Sequence, residues 1–89
     1  MKLFVFCVKD RATDMFGTPM FLQAVGQAIR SFSDEVNRAD ADNQLYKHPD
    51  DFDLYECGQF ESDDGSFDVF IPRLLVRGKD VSTQVKGVN

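Results

Sequence analysis

The stretch Phe52–Ile71, "FDLYECGQFESDDGSFDVFI", decides the fold. Phe52, Leu54 and Tyr55 open a strand that continues to about Glu61. Asp64-Gly65 supplies a turn whose positive φ suits glycine, and Phe67, Val69 and Ile71 alternate along the returning strand. The segments on either side add strands and a helix to this hairpin.

On its N-terminal side, Leu3 to Val8 are six consecutive apolar residues between Lys2 and Lys9. Such a run predicts a strand covered on both faces. "DRATDMFGTP" breaks the pattern, with Thr18 as N-cap and Pro19 as first residue of a helix. The helix is expected to start between Pro19 and Gln23. Its apolar positions Val25, Ala28 or Ile29, Phe32 and Val36 recur every three or four residues and share one face. Ser31 and Ser33 leave two readings open: one helix to about Arg38, or a break near Ser31 with Asp34 completing a capping box. The unbroken apolar phase favours one helix, with Arg30 and Asp34 as a surface i,i+4 pair. Gly26 is its weak point unless another backbone packs there.

After Asn37, "RADADNQLYKHPDD" is an aperiodic, turn-rich connection. Beyond the hairpin, Pro72 interrupts, and "RLLVRG" has room to form a fourth, edge strand before a polar tail. The expectation is an α+β fold with one amphipathic helix packed on a small, mainly antiparallel sheet in the order β-α-β-β. A single domain over 1–81 and a loose tail over 82–89 complete it.

With 89 residues, nine Phe and 43 % hydrophobic residues, the chain is long enough to fold but its core is thin. That favours a homodimer or larger assembly. No apolar run approaches the roughly 20 residues of a membrane span, so no membrane partner is expected. Cys7 and Cys57 read as buried free thiols. The net charge of −5 is unevenly spread. Residues 34–68 hold twelve acidic against two basic side chains, a net −10, while residues 1–33 and 69–89 come to +2 and +3. The two ends can therefore present a basic surface despite the acidic total.

Catalytic signals are weak. The only histidine, His48, has no nucleophile and orienting group at a useful spacing. Asp40, Asp42, Gln44, Tyr46, His48 and Asp51 fall on calcium-loop positions, but Leu45 replaces the required glycine and Asp51 the bidentate glutamate. Phosphate loops and zinc spacings are absent, so neither an enzyme nor a metal or cofactor protein is expected. Basic residues beside aromatic ones at the two ends suit a single strand of nucleic acid, held by phosphate attraction and base stacking. Arg73, Arg77 and Lys79 are the first candidates, joined by Lys2 and Lys9 if the first and last strands are neighbours.

Three blocks in this order, "AIRSFSDEVN", "HPDDFDLYECG" and "RLLVRG", resemble the small nonstructural protein of gokushovirus-like microviruses, which are single-stranded-DNA phages. The resemblance runs from Met1 to about Val81. It implies a protein of the host cytoplasm, active in genome replication as a single-stranded-DNA-binding accessory that favours single-strand synthesis. The alternative is an adaptor that binds a host or phage replication protein through the acidic centre. Under the same resemblance, Arg30, Ser31, Ser33 and Asp34 are expected to make a polar contact, either between the helix and the "HPDD" loop or between subunits, so that Arg30→Ala lowers the melting temperature by several degrees.

Overall fold

A computed structural model describes residues 1–84. Its sheet is organised around β1, Lys2–Asp10, whose alternate side chains divide between two faces. Phe4, Phe6 and Val8 point into the core, and Leu3, Val5, Cys7 and Lys9 point the other way. A turn at residues 11–14, with Asp14 in the left-handed region at φ 58°, returns the chain along β1. There β2, Met15–Phe16, pairs with Asp10 and Lys9, and β3, Met20–Leu22, pairs with Phe6 to Phe4. The two short strands form one interrupted edge, and the Gly17 N–H donates to the Val8 carbonyl at 2.8 Å between them.

This edge corrects the expected helix start. Residues Met20–Leu22 are taken by strand pairing with β1, and α1 runs only over Val25–Val36. Its N-terminus is closed by Gln27, whose side-chain carbonyl accepts from the N–H groups of Gln23 and Ala24 at 3.1 and 3.2 Å, and not by Thr18. The helix does not break at Ser31. The Ser33 hydroxyl, which would otherwise compete with the helix, donates to the Ile29 carbonyl at 2.7 Å within it. The side chains of Arg30 and Asp34 are exposed and form no ion pair or hydrogen bond among the described residues, so they make no polar contact to the His48–Asp51 loop within the chain. Arg38 pairs instead with Glu35 and Asp40 at 2.7 and 3.1 Å. The Arg38 guanidinium holds the Glu35 carboxyl below its ordinary pKa, chiefly through that hydrogen bond.

The connection after α1 is ordered by one buried side chain. Asn43 donates from Nδ2 to the carbonyls of Glu35 and Arg38 at 2.8 and 3.0 Å. Its Oδ1 accepts from the Leu45 N–H at 3.1 Å and caps α2, Gln44–Lys47. A 3-10 turn at Pro49–Asp51 leads into β4, Phe52–Glu61. The hairpin forms as expected, with Gly65 at φ 74° in its turn and Phe60 opposite Phe67.

The returning strand β5 is continuous over Ser66–Arg77, so "RLLVRG" is the second half of one strand and not a separate one. Pro72 is tolerated because β5 lies at the sheet edge, where a missing donor costs no ladder bond, and the register shifts on either side. A last turn of helix, α3, covers Gly78–Val81. The lateral order is β2/β3, β1, β4, β5, all antiparallel, and the element order is β-β-β-α-β-β where β-α-β-β was expected. The first and last strands are therefore not neighbours, since β4 separates them.

One face of the sheet carries the core. Phe6, Ala28, Phe32, Val36 and Leu54 are buried together, with Leu45 of α2 and Val81 of α3 at the margin. Each large apolar side chain buried this way contributes about 1.5–3 kcal/mol. The tail starts out fastened to this layer. Asn37 donates to the Val81 carbonyl at 2.9 Å and accepts from the Thr83 N–H at 2.8 Å, while Gln84 donates to the Tyr46 carbonyl. Of the loose tail expected over 82–89, residues 85–89 lie outside the described residues.

The opposite face has no helix on it among the described residues. The expectation that β1 is covered on both faces holds only at its centre, where Val5, Phe6 and Cys7 are all buried, because an antiparallel sheet can leave much of one face to solvent. Val5 and Cys7 are buried there only by side chains of adjacent strands. A bulge sharpens this arrangement, because Val5 stands opposite Gly58 and Phe6 opposite Glu56, leaving Cys57 as the extra residue. Cys7 is a buried free thiol and Cys57 a half-buried one, where both were expected buried, and desolvation followed by the interaction with Cys7 pushes the Cys57 thiol up to about 12.

Candidate nucleic-acid interface

The uncovered face is built from alternate residues of all five strands. Leu3, Val5, Cys7 and Lys9 come from β1, and the residues registered against them include Phe21, Phe16, Phe60, Gly58, Tyr55 and Asp53. Phe67, Val69, Leu74 and Arg77 continue it onto β5. Two ring groups result. Phe16 meets Tyr55 edge-on at 5.3 Å, and Phe21, Phe60 and Phe67 pack mutually at 4.8 to 6.2 Å.

At one end of this face the register row Lys9–Asp53–Arg77 places two of the five candidate cations around one buried carboxylate. Arg77 Nη1 lies 3.6 Å from Asp53 Oδ2, and Arg11 Nε approaches the same oxygen at 3.8 Å. Arg11 is held in place by donating from Nη1 to the Asp50 carbonyl at 3.0 Å. Asp53 is 2 % exposed, and its Oδ1 has no hydrogen-bond partner among the described residues. Burying a carboxylate this deeply is costly without opposite charge beside it, and the two guanidiniums supply that charge. Lys9 completes the group. Its ammonium reaches Asp14 at 3.0 Å and lies 5.4 Å from the centre of the Phe16 ring, and the Asp14 hydrogen bond raises its pKa.

The other candidates are scattered. Arg73 belongs to the helix-covered side, where Glu56 opposes the core residue Phe6. It donates to Glu56 at 3.3 Å and stacks on Phe70 at 4.4 Å. Lys79 is exposed on α3, two residues beyond Arg77. Lys2 sits opposite Glu61 at the far end of β1, about 23 Å of strand away from Lys9. The juxtaposition of Lys2 with the C-terminal cations therefore does not occur.

Reasoning from sequence misses Arg11 and Asp53. Arg11 is visible there only as one of several basic residues near an end, and Asp53 only as one acid in an acidic segment. Their meeting depends on which strands pair. The acidic centre is itself divided: Asp40 and Asp42 lie beyond α1, Asp63 and Asp64 form the hairpin tip, and β4 spans about 30 Å between. Asp53 and Glu56 are buried beneath arginines.

Comparison with known proteins identifies a family. Residues 3–81 match the family model described as Phage ORF5 protein. The chain is 33 % identical over 69 residues to Protein ORF5 of Chlamydia phage 1, a match covering 75 % of this chain and 72 % of that protein. No solved structure matches. With nearly all its strands and its long helix inside the matched region, the chain belongs to the Phage ORF5 protein family, the small nonstructural proteins of gokushovirus-like microviruses.

Proposed function

We propose that this protein acts in phage genome replication as an accessory that binds single-stranded DNA at the basic end of its uncovered sheet face and so favours single-strand synthesis. The observation that carries the reading is the convergence of Lys9, Arg11 and Arg77 beside the exposed Phe16 ring and Tyr55. Cations attract the phosphates, and rings on an open sheet accept unpaired bases; duplex DNA hides its base faces and gains only the first term. Arg11 and Arg77 share the one Asp53 carboxylate, while Lys9 pairs with Asp14. The adaptor reading has less support, because the fold splits the acidic segment instead of gathering it into one surface.

The test is fluorescence anisotropy with labelled single-stranded and duplex oligonucleotides at two salt concentrations. Single strands should bind more tightly, with affinity falling as salt rises. Phe16→Ser removes a stacking platform and should weaken binding by about tenfold, within the 1–3 kcal/mol of one base–aromatic contact. Lys9→Gln should flatten the salt slope by about 0.7. Equal affinity for duplex, or no binding at low salt, would overturn the reading.

A further inference from the structure

The uncovered face holds more apolar surface than the DNA reading uses. Phe16, Phe21, Phe67, Val69 and Leu74 are 42, 44, 59, 76 and 42 % exposed. Since aromatic side chains present roughly 150–250 Å² each, these residues leave on the order of 500 Å² of surface on one face. That approaches the about 800 Å² per partner of a standard protein interface. Apolar patches of this size on small domains mark interaction sites.

We propose that a second copy of this chain covers the face, in a two-fold dimer whose sheets pack face to face with their β5 strands antiparallel. The charge distribution along the face selects this occupant. Its hairpin end carries Asp63 and Asp64 at the turn beside the Met1 ammonium, its other end carries Lys9, Arg11 and Arg77, and the apolar residues lie between. The midpoint of β5 falls at Ile71–Pro72. A two-fold axis there lays each acidic tip over the partner's basic end, whereas a parallel copy would place like charges together. Association through the β5 edge is disfavoured, because Pro72 offers no N–H and the register shifts beside it interrupt the edge. The mutual packing of Phe21, Phe60 and Phe67 gives a continuous apolar surface, which suits another sheet face.

The dimer does not depend on the DNA reading, and it is measured without DNA. Both use Lys9, Arg11 and Arg77, so a single strand and a second copy compete for that end of the face.

Sedimentation velocity from 10 to 200 µM should show a species near twice the 10.1 kDa chain mass. Val69→Glu should weaken self-association at least tenfold while the far-UV spectrum and melting temperature of the dilute protein stay as in the parent. Phe67→Glu is the second variant, used if the first does not fold. A carbodiimide cross-linker followed by mass spectrometry should join Lys9 to Asp63 or Asp64. Within one chain these residues lie at opposite ends of the sheet, so that product can arise only between copies. A single-chain mass at 200 µM, a dimer indifferent to both glutamates, or cross-links confined to other pairs would overturn the proposal.

Discussion

Gly58→Ala should destabilise the protein by about 2–3 kcal/mol, and Gly26→Ala should not. Gly58 stands at the β4 bulge, where β5 crosses close above it. A Cβ at that position would lie 2.5 Å from the Asp68 carbonyl oxygen and 3.3 Å from the Val69 Cα. Both neighbours are backbone, so relief requires the two strands to move apart, and overpacking of this kind costs about 1–3 kcal/mol. Each ladder hydrogen bond lengthened in the process adds about 1 kcal/mol. For a domain of this size the sum corresponds to a fall in melting temperature of roughly 10–20 °C. Gly26, in the first turn of α1, has no atom within 4 Å of its would-be Cβ, so no close packing requires glycine there. Alanine at that position should raise the melting temperature by a few degrees, because it restricts the unfolded chain by about 0.5 kcal/mol. Thermal melts followed by far-UV circular dichroism measure both. A Gly58→Ala melt within error of the parent would refute the inferred strand contact.

Asn43→Ala removes a helix cap and the side-chain donor to the Glu35 and Arg38 carbonyls, so it should cost about 2 kcal/mol, read as a shift in the urea midpoint. Arg73→Ala leaves Glu56, 5 % exposed, without its cation. After discounting for the solvent-exposed arginine, stability at pH 7 should fall by about 2 kcal/mol, and Arg73→Lys should restore part of it. This makes Arg73 a poor residue for testing DNA contact alone. Arg30→Ala should leave the melting temperature within about 2 °C of the parent, as for other exposed substitutions away from caps and buried pairs. Because the Cys57 thiol is pushed up to about 12, its reactive thiolate is scarce at pH 8. Alkylation by iodoacetamide in the folded protein should be roughly a hundredfold or more slower than for a free cysteine and should accelerate as pH rises; an ordinary rate at pH 8 would contradict the influence of Cys7 and of burial on this thiol.

The sequence by itself determined the elements whose signals are local. Phe52 to Glu61, Asp64-Gly65 and the alternation beyond it specify a hairpin because turn chemistry and period-two patterning act within a few residues. The three- and four-residue spacing from Val25 to Val36 specifies one helix in the same way, and the resemblance of three blocks identified the family. Tertiary structure alone decided which strands are neighbours. Thr18-Pro19 looks like a helix start, yet Met20–Leu22 become a strand because the open edge of β1 offers them ladder bonds. Pro72 looks like a strand end, yet β5 passes through it because no further strand needs its missing donor. Lys9, Arg11 and Arg77 converge on Asp53 only because β4 lies between β1 and β5, a pairing that links residues 24 and 44 positions apart. Nothing in a local pattern encodes that register; it comes from burying Phe6 and Leu54 under α1, which turns Lys9, Asp53 and Arg77 together onto the uncovered face.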